Sequence, residues 1–515
     1  MDGIRLPDTI WTVPQVLAFW AELTPHAPAL VVPGQTDITY GELWRRVARL
    51  GEALQRSGIK RDDRVVLLVP DGPRLAVALL GAMTAAIAIP LDARLPAAEL
   101  EILLQGLETA ATILSLPISP DIAACLDRHG GRVFALDAEE TLAELRPMQA
   151  RHEISTSGAF PHSEDIALVL LTSGTTGVAK RVPDTHAELL CNARGRRDQF
   201  GLTPADRALA VAPLTLSLGT CVLFHTLVSG GAWIVPPASD LDSLFITMTE
   251  QRATWMFPSA GLLELMALYL RSRPHLRQPL ALRLVRVTAA PVSAALCAEV
   301  EARLGAPVLN SYSSTEAGLV ATALPPPAAH KVGSAGKPIV DLQIVRDDGA
   351  LTGHGVAGEI WVRGEKFAAG YLDDPELNAE KLQPGGWFRT GDVGYLDEDG
   401  FLFLTGRLSQ LVNRGGLKFA PEEVDTVLRE HPAIQDAAAF AVPDSRLGED
   451  VVAAVVARED QPITARAIRA WLLTRLSVHK TPRRIWFVDE LPRTALGKVR
   501  RDELRRRWLQ EHSPS

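Results

Sequence analysis

The sequence predicts an α/β protein: a large N-terminal domain of doubly wound sheets with a β-rich subdomain, followed by a small α+β C-terminal domain. Three observations carry this. From Arg64 to Tyr312, short apolar runs without alternation trade places with helical patterns, which is the rhythm of a parallel sheet covered on both faces. After Gly333 apolar and polar residues alternate around Asp/Gly turns, the mark of antiparallel hairpins. Beyond Arg407 a last segment mixes strands with amphipathic helices, which places a domain boundary near Arg407 to Leu411 and divides the chain into 1–408 and 409–515.

Taken in order, DRVVLLV (Asp63–Val69) reads as a strand, RLAVALLGAMTAA (Arg74–Ala86) and PAAELEILLQGL (Pro96–Leu107) as helices, and TAATILSL (Thr109–Leu116) and DIALVLL (Asp165–Leu171) as strands. ATWMFPS (Ala253–Ser259), LRLVRVTAA (Leu282–Ala290) and APVLNSY (Ala306–Tyr312) continue the series, with the helical SAALCAEVEARLG (Ser293–Gly305) before the last. There is material here for two doubly wound sheets. GEIWVRG, GWFRTGD and GYLDEDGFLFLTG supply the hairpins. In the last segment, Pro421 to His431 and Ala465 to Leu476 read as helices, AAAFAV and VVAAVVA as strands, and the basic C-terminus as a helix.

Composition narrows the function. The 515 residues suffice for two or three domains, and a net charge of −8 gives no global positive field for nucleic acid. Cys125, Cys191, Cys221 and Cys297 lie too far apart for a metal knuckle or a disulfide framework and are expected to be reduced, mostly buried thiols. The N-terminus lacks a basic segment followed by an apolar run, so a cytoplasmic location is expected. Leu75 to Leu91 is uncharged, and so is Ala208 to Ser239 apart from His225, but Pro90, Pro213, Gly219, Gly230-Gly231 and Pro236-Pro237 interrupt them. Both read as buried strand and helix rather than membrane spans.

The chemistry starts at LTSGTTGVAK, Leu171 to Lys180, directly after a predicted strand. Small hydroxyl residues and glycines let backbone N–H groups converge on one point, and the following lysine adds a positive charge, which together make a phosphate cradle. It is not the usual nucleotide P-loop, because Ala179 and Arg181 flank Lys180 where that pattern needs Gly and Ser/Thr.

At this stretch the sequence resembles the adenylate-forming superfamily of acyl-CoA synthetases, aryl-CoA ligases, luciferases and adenylation domains. The resemblance runs along nearly the whole chain: ITYGELWRRVARLGEAL, GAMTAAIAIPLDARLPAAELEILL, the cradle, TAAPVSAAL, SYSSTE, GWFRTGD, GRLSQLVNRGG and PRTALGKVRR occur in order. It implies a two-step reaction in one site. A carboxylate attacks the α-phosphorus of ATP to give acyl-AMP and pyrophosphate, and a thiol then displaces AMP.

The resemblance also implies roles. Thr172, Ser173, Gly174, Thr175, Thr176 and Lys180 hold the β- and γ-phosphates; Thr315 meets the α-phosphate, and Glu316 holds Mg²⁺. Tyr312, beside Ser311, stacks on adenine, with Ala289, Ala290 and Pro291 lining the base. Asp392 accepts the ribose hydroxyls, Arg407 lies near ribose and phosphates, and Lys498, on a mobile C-terminal domain, bridges the attacking carboxylate and the α-phosphate. Taken singly, Tyr312, Glu316, Asp392 and Lys498 read as ordinary core, capping or solvated residues; their joint placement in the motifs outweighs that.

Five residues depart from the family pattern. Arg181 replaces a Gly beside the cradle, Ser311 and Ser313 replace glycines, Leu216 stands where many relatives have His, and Ser409 stands at the hinge usually held by Asp or Lys. The leading expectation is an ATP-dependent carboxylic acid:CoA ligase needing ATP, Mg²⁺ and CoA. The alternatives are loading of an acyl group onto the phosphopantetheine of an acyl carrier protein, and a degenerate non-catalytic nucleotide-binding module. The substrate is expected to be an acid of modest size, mainly apolar near its carboxylate and without an α-ammonium, since Leu216, Leu218 and Val222 offer no charge.

Overall fold

The computed structural model describes the chain apart from residues 1–3, 138–141, 147–159, 173–178, 239, 274–279, 289–291, 327, 329–330, 365, 367–369, 416, 445, 459–460, 495–496, 498 and 513–515. The described strands build four sheets. In a seven-stranded sheet, Arg132–Leu136, Ala111–Leu114, Arg64–Leu68, Ile87–Pro90 and Ile166–Thr172 run parallel in that spatial order. Leu142–Arg146 and Lys180–Thr185 close its edges antiparallel. The parallel order follows from the helices Pro73–Ala82, Ala97–Leu104 and Pro120–His129, each of which carries the chain back to the start of the next strand.

A nine-stranded sheet has Pro28–Val31, Ala232–Ile234, Arg207–Leu209, Trp255–Met256, Leu284–Val287 and Val308–Ser314 as its parallel centre. One apolar core joins the two sheets. It takes Val65 and Leu67 from the first, Trp233, Trp255 and Leu284 from the second, and Leu43, Leu79, Leu190 and Leu223 from helices between them. Those helices explain the uncharged stretches: Leu75 to Ala82 is fully buried, and the helix Ser217–Ser229 is buried on nearly every side from Leu218 onward. No helix among the described residues is long and apolar enough to cross a membrane.

The third sheet is antiparallel, with Asp341–Val345, Gly358–Arg363, Trp387–Leu396, Leu382–Gln383 and Leu402–Arg407. A single 3₁₀ turn, Leu408–Gln410, follows, and the chain then enters the fourth sheet, built from Val412–Arg414, Leu417–Phe419, Ile434–Asp444, Gly448–Ala457 and Arg484–Phe487. Helices Pro421–Arg429, Ala465–Leu473 and Arg501–His512 cover it. The molecule is thus a large N-terminal α/β body with a β-rich part and a smaller C-terminal α+β part. One expectation needs correction: Cys125 is buried, but Cys191 is exposed and Cys221 and Cys297 are half-buried, because Cys191 sits on the solvent side of the helix His186–Phe200.

Candidate active site

The strands Val308–Ser314 and Gly318–Thr322 form a hairpin whose turn holds Thr315 and Glu316. Its ladder is irregular between Tyr312 and Ser313, and such a bulge re-aims the side chains beside it. Tyr312 is buried and donates its hydroxyl to Asp392 Oδ2 at 2.6 Å. On the other side, Arg407 Nε meets Asp392 Oδ1 at 2.7 Å. Asp392 and Arg407 are directly opposite in the antiparallel ladder of Trp387–Leu396 with Leu402–Arg407, so backbone register itself sets this pair. Burial, then the neighbouring Asp392 charge, push the Tyr312 hydroxyl well above its ordinary pKa, so it stays a donor. Asp392 likewise holds Arg407 firmly protonated.

Thr315 Oγ1 donates to Ser217 Oγ at 3.2 Å, linking the hairpin turn to the start of the helix Ser217–Ser229. Tyr371 donates to Glu316 Oε1 at 3.1 Å, and Lys180 Nζ stands 5.3 Å from the centre of the Tyr371 ring. Burial, and after it Glu316, raise the Tyr371 hydroxyl. Lys180 pairs with Thr172 across the edge ladder, and Thr172 Oγ1 is buried with no hydrogen-bond partner among the described residues. A buried hydroxyl with no partner at the mouth of the cradle fits a phosphate oxygen. Glu316 presents a hard carboxylate near that point. Among the described residues no group of three or more His, Cys, Asp or Glu side chains gathers to hold a metal, so the residues fit a Mg²⁺ that takes one carboxylate plus phosphate oxygens and water rather than an all-protein cage. Ser173, Gly174, Thr175, Thr176, Ala289, Ala290, Pro291 and Lys498 lie outside the described residues.

One cavity joins the N-terminal body to the C-terminal part. Gly261, Glu264, Thr288, Ser311, Tyr312, Asp392 and Arg407 line one wall, and Gln410, Arg429, Arg493, Gly497, Val499 and Arg501 line the other. The backbone on both sides of Lys498 therefore borders the same space as Tyr312 and Asp392. Contact at the seam is close: a Cβ built on Gly261 would lie 2.8 Å from Gly497 Cα. Arg493 bonds the Gly497 carbonyl and pairs with Asp436 at 2.5 Å, which fixes the loop. Burial raises the Glu264 carboxyl, opposed by Arg429 and Arg493 across the seam.

The five departures take definite positions. Lys180 and Arg181 are neighbours on one strand and point to opposite faces. Arg181 ties the Gln105 carbonyl at 2.9 Å and Asp373 at 3.4 Å, on the face away from Tyr371. Ser311 Oγ donates to the Val287 carbonyl at 2.9 Å, and Ser313 Oγ and Thr288 Oγ1 are 2.9 Å apart, so both hydroxyls stitch the hairpin to the strand Leu284–Val287. Leu216 is the N-terminal cap residue of the helix Ser217–Ser229, and Ser409 is the centre of the 3₁₀ turn. Sequence reasoning missed Tyr371 and Gly261, and it placed Ser217 and Thr288 only within stretches expected to line the pocket, with no role of their own. Of the two missed, only Tyr371 left a trace, as a lone aromatic in the polar loop GYLDDPE.

A carboxylate held between Tyr and Arg in a cleft shared with the C-terminal part, together with a buried cradle hydroxyl that has no partner among the described residues, marks a nucleotide-activating enzyme of two parts. The chain belongs to the AMP-binding enzyme family: the family's main model matches residues 17–372, and the model of the AMP-binding enzyme C-terminal domain matches 423–498. Among its relatives, an oxalate–CoA ligase of Arabidopsis thaliana is 32% identical, with 95% of this chain and 97% of that protein covered. A sulfoacetate–CoA ligase of Cupriavidus necator is 31% identical, with 98% and 99% covered. The solved structure of an o-succinylbenzoate CoA synthetase (MenE) from Bacillus subtilis in complex with ATP and magnesium ion superimposes with a TM-score of 0.82 at 26% identity, covering 95% of this chain and 98% of that one.

Proposed function

We propose that this protein is an ATP-dependent acid–CoA ligase of the AMP-forming type. The observation that supports it most is the shared cavity: Gly497 and Val499, which flank Lys498, border the same space as Tyr312, Asp392 and Arg407. In the first step the substrate carboxylate oxygen bonds to the α-phosphorus of ATP and the bond to pyrophosphate breaks. In the second, the CoA thiol adds to the acyl carbonyl, AMP leaves, and the thiol proton is released.

Each residue then has a task. Asp392 accepts from the ribose hydroxyls with the lone pairs that Tyr312 and Arg407 leave over, since an ionised carboxylate has about four acceptor sites. Tyr312 presents its ring to adenine, beside Ser311, while its hydroxyl keeps Asp392 in place. Thr172 and Lys180, with the cradle Ser173, Gly174, Thr175 and Thr176, hold the terminal phosphates, and Thr315 holds the α-phosphate. Glu316 would hold Mg²⁺, whose chemistry when bound is to neutralise phosphate charge. Lys498 supplies a positive charge where charge develops between carboxylate and α-phosphorus. The residues 1–408 and 409–515 act as two bodies that pivot at Ser409, a residue whose backbone freedom suffices for a hinge.

The test is acid-dependent exchange of labelled pyrophosphate into ATP, followed by thioester formation with CoA and, in parallel, with a holo carrier protein. Exchange without acid dependence, or none with any acid, refutes the ligase reading. Transfer to the carrier protein but not to CoA replaces the acceptor.

A further inference from the structure

The strand Leu284–Val287 turns Leu284 and Arg286 toward the core it shares with the helix Ser217–Ser229. Arg286 is 1% exposed. Phe257 and Phe200 cover the faces of its guanidinium, with ring centres 4.0 and 4.4 Å from Cζ. Its Nε and Nη1 have no hydrogen-bond partner among the described residues. The charges that act on it most are Arg196, of the same sign, and the Cys221 thiol. The buried carboxylate in this quarter, Asp184, is committed to Lys366 Nζ at 2.8 Å. Burial lowers the Arg286 pKa to about 9, which still leaves it protonated at neutral pH. His225 is held neutral by burial and by both arginines, and its Nδ1 also lacks a partner. A buried cation with two donor nitrogens that face no acceptor among the described residues is strongly unfavourable unless a ligand brings the opposite charge.

The helix Ser217–Ser229 links this buried charge to the reacting end. Ser217 touches Thr315 at the reacting end, and Cys221 and His225 follow at four-residue intervals on the same face of the helix. They lie about 6 and 12 Å along its axis. Leu218 and Val222, on the same helix, supply apolar lining between the two ends.

We propose that the substrate carries a second anionic group, a carboxylate or sulfonate roughly one to two helical turns from the carboxylate that is activated, and that Arg286, supported by Arg196, is its counter-charge. This rests on the ligase reading and names its substrate class. The unprotonated second anion accepts from Arg286 at the buried end while the first carboxylate remains free at the phosphate end. No bond is made or broken at Arg286.

The experiment compares matched acids on the wild-type protein: hexanoate with adipate, and 4-methylbenzoate with terephthalate and 4-sulfobenzoate. Pyrophosphate release gives kcat/KM, and the shift in unfolding temperature without ATP gives binding. The expected result is a preference of at least about 100-fold for the doubly anionic acids. Arg286→Met abolishes that preference, and Arg286→Lys retains part of it. Equal or better turnover of the monoacids by wild type overturns the proposal and leaves the ligase reading intact. Stabilisation by diacids that Arg286→Met abolishes, with no acid supporting pyrophosphate release, sustains the anion site and overturns the ligase reading. The comparison on wild type decides the matter even if Arg286→Met fails to fold.

Discussion

Replacing Gly261 by Ala adds one methyl group where the helix Ala260–Ser272 meets the loop leading to Lys498. The new Cβ would lie 2.8 Å from Gly497 Cα, against an ordinary contact of 3.4 to 4 Å, so the loop must retreat by roughly 0.6 to 1.2 Å. Gly497 cannot yield by twisting in place, since it already holds a φ of +78° and its carbonyl is bonded by Arg493. A misplacement of about 1 Å in a group that must meet a transition state costs on the order of 100-fold, or about 2.7 kcal/mol. The helix itself gains, because Ala is better than Gly in a helix by roughly 0.5 to 1 kcal/mol, so lost stability cannot mimic the effect. Acyl-AMP formation, followed by pyrophosphate exchange, is expected to fall about 100-fold. Thioester formation from supplied acyl-AMP and CoA is expected to change by less than about threefold, because that step does not use the Lys498 loop in this position. Lys498→Ala should show the same asymmetry. Unchanged exchange in Gly261→Ala, or equal loss in both half-reactions, refutes the argument that this seam serves adenylation.

Glu316→Gln keeps the shape of the side chain and its contact with Tyr371 but removes the charge, so adenylation should fall far more than thermal stability; a variant that does not fold would mark Glu316 as structural. Tyr312→Phe deletes the hydroxyl that steadies Asp392 and should raise the KM for ATP about five- to tenfold, in line with a net hydrogen-bond contribution of about 1 kcal/mol, whereas an unchanged KM would deny Asp392 a part in binding ribose. His186 is buried, accepts from the Val13 N–H at 3.2 Å, and has its pKa lowered by burial to about 4 from 6.5. The folded state therefore binds the proton later than the unfolded state: the stability contributed by the neutral ring is complete above pH 6.5 and is lost as pH falls toward 4, by up to about 3 kcal/mol. Denaturant titrations of wild type and His186→Asn should diverge in that window, and parallel pH profiles would count against the assignment.

The parts of the fold that were legible in the sequence are those written as local pattern. Continuous apolar runs such as DIALVLL gave parallel strands, and the alternation in GYLDEDGFLFLTG gave a hairpin. Tyr312, Glu316 and Asp392 were legible as candidates because each falls in a motif that resembles the family's, although taken singly each reads as an ordinary residue. Their partners were not. Tyr371 meets Glu316 across 55 residues and Tyr312 meets Asp392 across 80, and no period within a strand or helix encodes such a distance. Arg286 was hidden for another reason: in LRLVRV it reads as one polar position of a strand, and only the packing of Phe200, Phe257 and the helix Ser217–Ser229 on that face reveals that it is enclosed. Ser311 and Ser313 were legible only as departures from glycine; that their hydroxyls stitch strands together depends on the packing of the hairpin against the strand Leu284–Val287.

The rung between Asp392 and Arg407 is the last of its ladder, and the 3₁₀ turn starts at the next residue. One carboxylate thus sits both in the cleft and at the strand end where the turn begins. Under the proposed reading, ribose takes the lone pairs that the arginine and the tyrosine leave over, so a single side chain fastens nucleotide and strand end together, and a change at Asp392 is felt at both at once.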